Sequence, residues 1–515
     1  MRAGGWLAVA FVAVLTGGAI VALLAAAGGA ASLGSLDYLA RITGFTLWQA
    51  GLSTLLSIGL AIPLARALAR RPRFWGRGAI VALLGLPLVI PALVAALAVL
   101  AVWGRQGLLN DLVALAGFER LSIYGLPGIL IAHVFFNMPL AARLLLCHLA
   151  SVPAERWRLA AQLGLSPLAT WRLVEWPAIR PHIGGVALLV FALCATSFAI
   201  VLVLGGGPRS TTLEVAIYQA LRFDFLPGRA VVLALVQLAL TGALAWGLRG
   251  RSVEWGEGAL MAPRRFQSGG RWLDAGIIAL AAAFVLAPLV SLVASGFAAD
   301  LPRLLGEPAV RGAVATSLVL GLAAAALAML LTSAAVLGGW AGGGALRGAT
   351  GATVALILVV PPTVIGAGWF VALLGTGLTF AVAPVMIVTV NAAMALPFTV
   401  RIVGPAWSRH ARETDRLARA LGVRGWWRLW RLDLPALRGA LALAFAFAFA
   451  LSLGDLGVVA LFGSEDWRTL PLLLQQRMGS YRTDDAAGLA LILAVLCLGI
   501  VGAAQLAERR RGAGG

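Results

Sequence analysis

Reactive side chains are sparse in this 515-residue chain. Its three cysteines, Cys147, Cys194 and Cys497, each stand alone in an apolar stretch without CxxC spacing, which suits small packing residues rather than a disulfide framework. The four histidines, His133, His148, His182 and His410, form no HExxH pattern and no Cys/His cluster, so no metal site is expected. Lysine is absent, and all 40 basic residues are arginine. A Walker A loop, a kinase fold and a Schiff-base enzyme each need a lysine, so none can be built here. No cofactor is expected in this chain, and any ATP and Mg that drive it must bind to a partner. Asp455 is the one acid inside an apolar run, and it has no nucleophile, base or second carboxylate beside it in sequence. An enzyme acting within the membrane would lack its machinery.

The elements that must position these residues follow from composition. Apolar residues make up 61% of the chain and charged ones 12%, with a mean hydropathy of +0.95. A soluble fold carries about 25% charged residues, so this chain belongs in lipid. Crossing the hydrocarbon takes about 20 apolar residues. Runs of that kind lie near 6–30, 44–68, 79–103, 127–149, 183–205, 229–248, 273–297, 312–337, 349–375, 380–403, 437–462 and 487–507. The reading is an all-α polytopic membrane protein with about 12 transmembrane helices. Arg2 and the stretch "LLAAAGGAAS" resemble a secretory signal, but the rest of the chain is equally apolar, which favours an uncleaved first span. With both termini cytoplasmic, 29 of the 40 arginines fall inside and 11 outside. That is the asymmetry the positive-inside rule asks for. The net charge of +19 is then a matter of topology and anionic headgroups, not of nucleic acid.

The polar stretch 249–271 divides the spans six and six, giving a first module at 1–248, a linker at 249–272 and a second module at 273–515. An offset of 258 pairs Pro139 with Pro397, Glu155 with Glu413, Arg158 with Arg416, Ala160 with Ala418, Gly164 with Gly422 and Pro177 with Pro435. Six spans per module is even, so the two repeats run parallel. The repeated loops, 152–182 and 410–440, face the cytoplasm in this topology. In "PAERWRLAAQLGL" the spacing of Glu155, Arg158, Leu159 and Leu163 predicts a short amphipathic helix, and Gly164 falls where its C-cap needs a left-handed residue. Ser166-Pro167 predicts the start of a second short helix, stopped before Pro177. "TDRLARALGV" and "GWWRLWRLDLP" predict the same helix, turn and helix in the second module. The plain alternative is a pair of amphipathic helices lying on headgroups.

These loops resemble the cytoplasmic signature of the permease subunits of binding-protein-dependent ABC importers, in the fused form with two modules in one chain. The signature runs Glu-Ala-Ala, three residues, Gly, and Pro thirteen residues later. Gly164 to Pro177 and Gly422 to Pro435 keep the interval, and Ala160 and Ala418 match the second Ala. Arg158 and Arg416 stand where the signature has Glu, and Glu155 and Glu413 lie one turn upstream. Blocks such as "YGLPGILIAHVFFNMPLAARLLL", "LGGGPRSTTLEVAIYQAL" and "LSLGDLGVVALFG" are most similar to the importers of thiamine and thiamine pyrophosphate. The resemblance implies a type I importer fold in the bacterial inner membrane. It also implies two copies of a cytoplasmic ABC ATPase seated on the two loops, and a periplasmic thiamine-binding protein. The fused permeases of ferric-iron importers share the loop signature and are the nearest alternative. A secondary transporter would normally need mid-membrane ionisable residues that these spans lack.

Polar residues within the spans are the candidates for the translocation pathway. Asn137, two residues before Pro139, suits either a bond to the backbone opened by that proline or a place on the pathway wall. Asp455 lies between Gly454 and Gly457, and its partner at the 258 offset is Ser197. A carboxylate at a helix centre in lipid costs about 3 kcal/mol, so Asp455 is expected to face protein or water.

Overall fold

The computed structural model describes residues 2–30, 35–105, 107–248, 270–423 and 425–512. The expected linker, 249–272, lies outside the described residues except for its last three. In chain order the first helices are α1 (Arg2–Ala30), α2 (Leu36–Arg70), α3 (Arg77–Leu83), α4 (Ala92–Trp103), α5 (Leu108–Leu115), α6 (Leu126–Ala150) and α7 (Ala154–Gln162). They are followed by α8 (Pro167–Thr170), α9 (Trp176–Ala195), α10 (Ala199–Leu204), α11 (Leu213–Arg222), α12 (Pro227–Leu248), α13 (Arg271–Ala298) and α14 (Leu301–Gly306). The remaining helices are α15 (Pro308–Val359), α16 (Pro362–Leu373), α17 (Ala383–Ala420), α18 (Gly425–Arg428), α19 (Leu434–Leu453), α20 (Gly457–Phe462), α21 (Leu470–Gly479) and α22 (Thr483–Gly512). No strand occurs among the described residues. This is what lipid imposes, since an open strand edge would leave peptide groups unpaired in hydrocarbon. Among the described residues eleven helices are long and apolar enough to cross a bilayer, and counting one bent pair, Gly343–Val359 and Pro362–Leu373, as a single span makes twelve.

The helices form two compact units, each built from separate stretches of chain. One comprises Ser35–Val215 and Leu240–Ser295. Its centre is α2 packed on α6 and α9. Small residues line these helices where they are buried, among them Ala50, Ala61 and Ala65 on α2 and Ala132, Ala141 and Ala142 on α6. Small side chains let helix backbones approach closely where lipid supplies no hydrophobic drive between helices.

The other unit comprises Met1–Gly34, Ala216–Ala239 and Gly296–Gly515. Here α17 packs on α15 and α19, and α1 packs on α15 and α16. The α1 contact is backbone-close. A Cβ on Gly368 would stand 2.4 Å from the Ala19 carbonyl oxygen, and the Trp369 indole donates to the Leu15 carbonyl at 2.8 Å.

Several spans depart from the continuous helices that the sequence predicts. The third, expected over 79–103, is broken into α3, a 3-10 turn at Leu86–Leu88 and α4. Pro87 and Pro91 remove two N–H donors there and their rings crowd the preceding turn. The ninth bends by 86° at Pro361-Pro362. The fifth stops at Ala195 and resumes at Ala199, and the eleventh stops at Leu453 and resumes at Gly457. These two breaks are equivalent at the 258 offset.

Each unit closes a helix start with a hydroxyl from another helix. The Thr46 hydroxyl accepts the Leu213 N–H at 3.0 Å, and the Ser317 hydroxyl accepts the Leu470 N–H at 2.7 Å. Both N–H groups begin a helix and have no partner within it. Ser317→Ala is expected to remove about 1 kcal/mol, measured as a lower apparent melting temperature of the purified protein in detergent. Ser317→Thr keeps the hydroxyl and is expected to keep the wild-type value.

Candidate functional site

The repeated loops fold alike at the turn and differently before it. In the first, α7 ends at Gln162 with Leu163 as its C-cap, and Gly164 takes φ +61°. The Leu165 N–H reaches back to the Ala160 carbonyl and the Gly164 N–H to the Ala161 carbonyl, both at 3.1 Å. In the second, Gly422 takes φ +68°, the Val423 N–H bonds the Ala418 carbonyl at 2.9 Å and the Gly422 N–H bonds the Arg419 carbonyl at 3.2 Å. This is the Schellman arrangement, which needs a left-handed residue and so favours glycine. A Cβ on either glycine would meet nothing within 4 Å, so only the backbone angle opposes a side chain there.

Before the turn the loops diverge. The first has a break at Ser151–Pro153 between α6 and α7. At the equivalent of Pro153 the second has Ala411, and α17 runs for 38 residues from its span straight to the turn. The separate first helix expected from "TDRLARALGV" is the end of that one helix.

After the turn, the Ser166 hydroxyl accepts the Ala169 N–H at 3.3 Å, as an N-cap should. The second helix does not stop before Pro177, as the sequence predicts. It passes through a π-turn, Trp171–Glu175, into α9 and continues to Ala195. The second loop repeats this with the π-turn Leu429–Asp433 ahead of Pro435. The wider turn lets Trp176 and Leu434 donate five residues back, to Trp171 and Leu429, so the helix survives the proline that follows.

Each π-turn ends in a buried acid, Glu175 or Asp433, both 1% exposed and paired at the 258 offset. Glu175 is held by Arg66 and Arg70 from the end of α2, with the Arg70 Nε at 3.0 Å. Arg66 also lies over the Trp171 ring, 4.4 Å from its centre. Arg70 and Arg71 in turn hold Asp274 on α13, at 3.7 and 3.0 Å. Asp433 instead meets the His410 Nε2 at 2.9 Å and the Arg428 Nε at 3.4 Å. Arg428 also pairs with Asp415, which accepts the Trp340 indole N–H at 3.1 Å. The sequence reading missed both acids. The signal was an acid two residues before the repeated proline in each module, hidden because one is Glu and the other Asp.

The remaining signature residues divide by face. Ala160 and Ala418 are buried, while Glu155, Arg158, Glu413, Arg416, Pro177 and Pro435 are exposed. Exposed apolar side chains lie among them, with Leu159 55%, Leu163 65%, Leu417 62% and Leu421 68% exposed, so each knob presents a partly apolar surface.

Of the pathway candidates, Asn137 and Ser197 belong to one unit and Asp455 to the other. Asn137 is buried and donates to the Cys194 sulfur at 3.3 Å. The second module answers with Asn391, which donates to the Ser452 hydroxyl at 3.0 Å, and Ser452 is the 258 partner of Cys194. Ser197 and Asp455 stand in the two helix breaks, so Asp455 is not at a helix centre. Its Oδ1 accepts the Gly457 N–H at 3.1 Å, at the start of α20. The free N–H groups of a helix start are the natural partners of a carboxylate.

A further buried stripe went unread. Thr46, Gln49, Ser53 and Ser57 on α2 follow helical spacing and are all 0% exposed. Gln49 donates to the Cys194 carbonyl at 3.0 Å, and Ser53 lies 2.9 Å from the His133 Nδ1. No group of three or more His, Cys, Asp or Glu that would hold a metal occurs among the described residues.

Glu175→Ala would strip two arginines of their shared carboxylate, one of them with a side chain 8% exposed. Breaking such a buried pair costs about 3–5 kcal/mol, expected as a marked drop in apparent melting temperature. Glu155→Ala, on the exposed face, is expected to change it by less than about 0.5 kcal/mol, and equal shifts would contradict the assignment.

The family model described as "Binding-protein-dependent transport system inner membrane component" matches residues 334–510. The thiamine transport system permease protein of Brucella abortus (strain 2308) is 52% identical, covering 98% of this chain and 95% of that protein. The protein of the same name from Escherichia coli (strain K12) is 42% identical, over 90% of this chain and 88% of its own length. That from Haemophilus influenzae is 35% identical, over 96% and 94%. At this identity and coverage the chain belongs to the family of thiamine transport system permease proteins, multi-pass inner membrane components of binding-protein-dependent transport.

Proposed function

We propose that this chain is the permease through which thiamine or thiamine pyrophosphate crosses the inner membrane, driven by ATP that a separate subunit hydrolyses. The observation that carries the reading is identity of 52% along almost the whole length of a thiamine permease, spread over both modules. With both termini cytoplasmic, the knobs ending at Gly164 and Gly422 face the compartment that holds ATP. Two copies of a cytoplasmic ATPase would each receive one knob against Leu159 and Leu163 or Leu417 and Leu421. The Mg and ATP would lie wholly on those copies. A periplasmic binding protein would deliver the substrate to the other side. When the ATPase pair closes, each knob is pulled as a rigid lever on the spans joined to it, and the passage switches between inward and outward openings.

Gly422→Val places a β-branched residue at φ +68°, where L side chains clash with their own backbone. The reconstituted complex is expected to insert normally and to lose most of its substrate-stimulated ATP hydrolysis, about tenfold. Full stimulation in that variant would remove the knob from the coupling path. For the substrate, a host without its own uptake system is expected to grow on trace thiamine when given this permease with its partners. Uptake of ferric iron without thiamine would move the chain to the iron importers.

Asn137, Ser197 and Asp455 are placed on the pathway in this reading, with Asp455 offsetting the positive thiazolium. Asp455→Asn keeps shape and removes charge. Transport of thiamine is expected to fall more than transport of its anionic pyrophosphate, and equal losses in an assembled complex would rule out the charge role.

A further inference from the structure

The unit that contains α17 has a cavity of about 460 Å³. Small-molecule sites generally fall between about 300 and 1,000 Å³. Phe380 and Phe223 on its wall expose 46% and 63% of their surface. Gln475, Gln476 and Ser464 add neutral donors and acceptors, and Glu465 adds a carboxylate.

The wall is held in place by contacts within the unit. The Arg222 guanidinium donates to the Leu461 and Gly463 carbonyls at 3.3 and 3.4 Å, closing the end of α20, and stacks 5.4 Å from the Phe380 ring centre. Phe370 packs edge-on against both Phe380 and Phe462, with ring centres at 6.2 and 5.6 Å. Arg222 lines the hollow as well as positioning it, and Glu465 pairs with Arg468 at 3.4 Å, so the exposed ring and the amides are what the hollow offers to a ligand.

Two placements tie this cavity to transport. Ala460 and Gly463 on its wall belong to the end of α20 opposite Asp455. A six-residue helix is about 9 Å long, so a ligand here stands one short helix away from that carboxylate. Phe380 lies just before the first residue of α17, whereas Gly422 lies just after its last. A 38-residue helix rises about 57 Å, so the cavity and the coupling turn are at opposite ends of one helix.

We infer that this cavity is the permease's own receiving site for the thiamine moiety, a cationic thiazolium joined through a methylene to an aminopyrimidine. Phe380 stacks on the thiazolium, and Gln475 and Gln476 bond the aminopyrimidine edge. This rests on the thiamine reading above. A π face attracts a cationic ring, and the amides supply both donors and acceptors to a pyrimidine.

The test uses the full permease–ATPase complex in nanodiscs without the binding protein, with radiolabelled thiamine and thiamine pyrophosphate as probes. The wild-type complex is expected to bind thiamine saturably, and Phe380→Ala and Gln476→Ala to weaken that binding about tenfold, a loss of the size expected from one stacked ring or a lost amide contact. Both side chains are partly or fully exposed, so the fold should persist. As a second measurement, Gln476→Cys is labelled with a polar maleimide, and saturating thiamine is expected to protect it. If the wild-type complex imports thiamine yet binds none saturably, or the variants bind with unchanged affinity, or thiamine gives no protection, the cavity assignment fails alone. If the complete wild-type system imports no thiamine, the functional reading fails and the assignment falls with it.

Discussion

Hydrocarbon offers no partner to a peptide N–H or C=O, so every interruption of a helix at membrane depth must be closed by another part of the chain. The architecture follows from how this is done. The break after Ala195 is met by Gln49, which takes the Cys194 carbonyl. The break after Leu453 is met by Asp455, which takes the Gly457 N–H, while Arg222 takes the carbonyls at the far end of the same short helix. The starts of α11 and α21 are met by Thr46 and Ser317. Gln49, Asp455, Arg222, Thr46 and Ser317 are thus each the other half of a backbone interruption.

The two modules share what lies at the breaks and in the repeated loops. Both have the left-handed glycine, the π-turn, the buried acid beside it and the interrupted span. They differ in the groups that complete these features. Arginines from α2 pair with Glu175, whereas Asp433 meets His410 and Arg428, neighbours within the loop itself. A joint at Pro153 separates span from knob in the first module, and an unbroken helix joins them in the second. Duplication preserved the geometry at the turn, and each copy found its own counter-charge.

Much of this was legible in the residues. Twelve apolar runs gave away the class of protein, and the 258 offset located both turns because only glycine sits easily at those angles. The Ser166 cap was legible for the same local reason. What escaped was whatever depends on partners far along the chain. A proline ordinarily marks a helix end, and nothing near Pro177 or Pro435 announces that a wider turn will absorb it. Asp455 reads as the interior of a span because its neighbours are apolar, and only the contact with Gly457 marks a break there. Glu175 and Asp433 differ in side-chain length, so a search for identical pairs passed over them.

The membership of α1 bears on how the protein is made. Its packing partners, α15 and α16, begin at Pro308 and Pro362, so α1 leaves the ribosome some 280 residues before the first of them. At about 5–20 residues per second, it waits on the order of half a minute in the membrane with its glycine-lined face toward lipid. Biogenesis of this chain thus includes an interval in which its first segment waits for the neighbours that the second half of translation supplies.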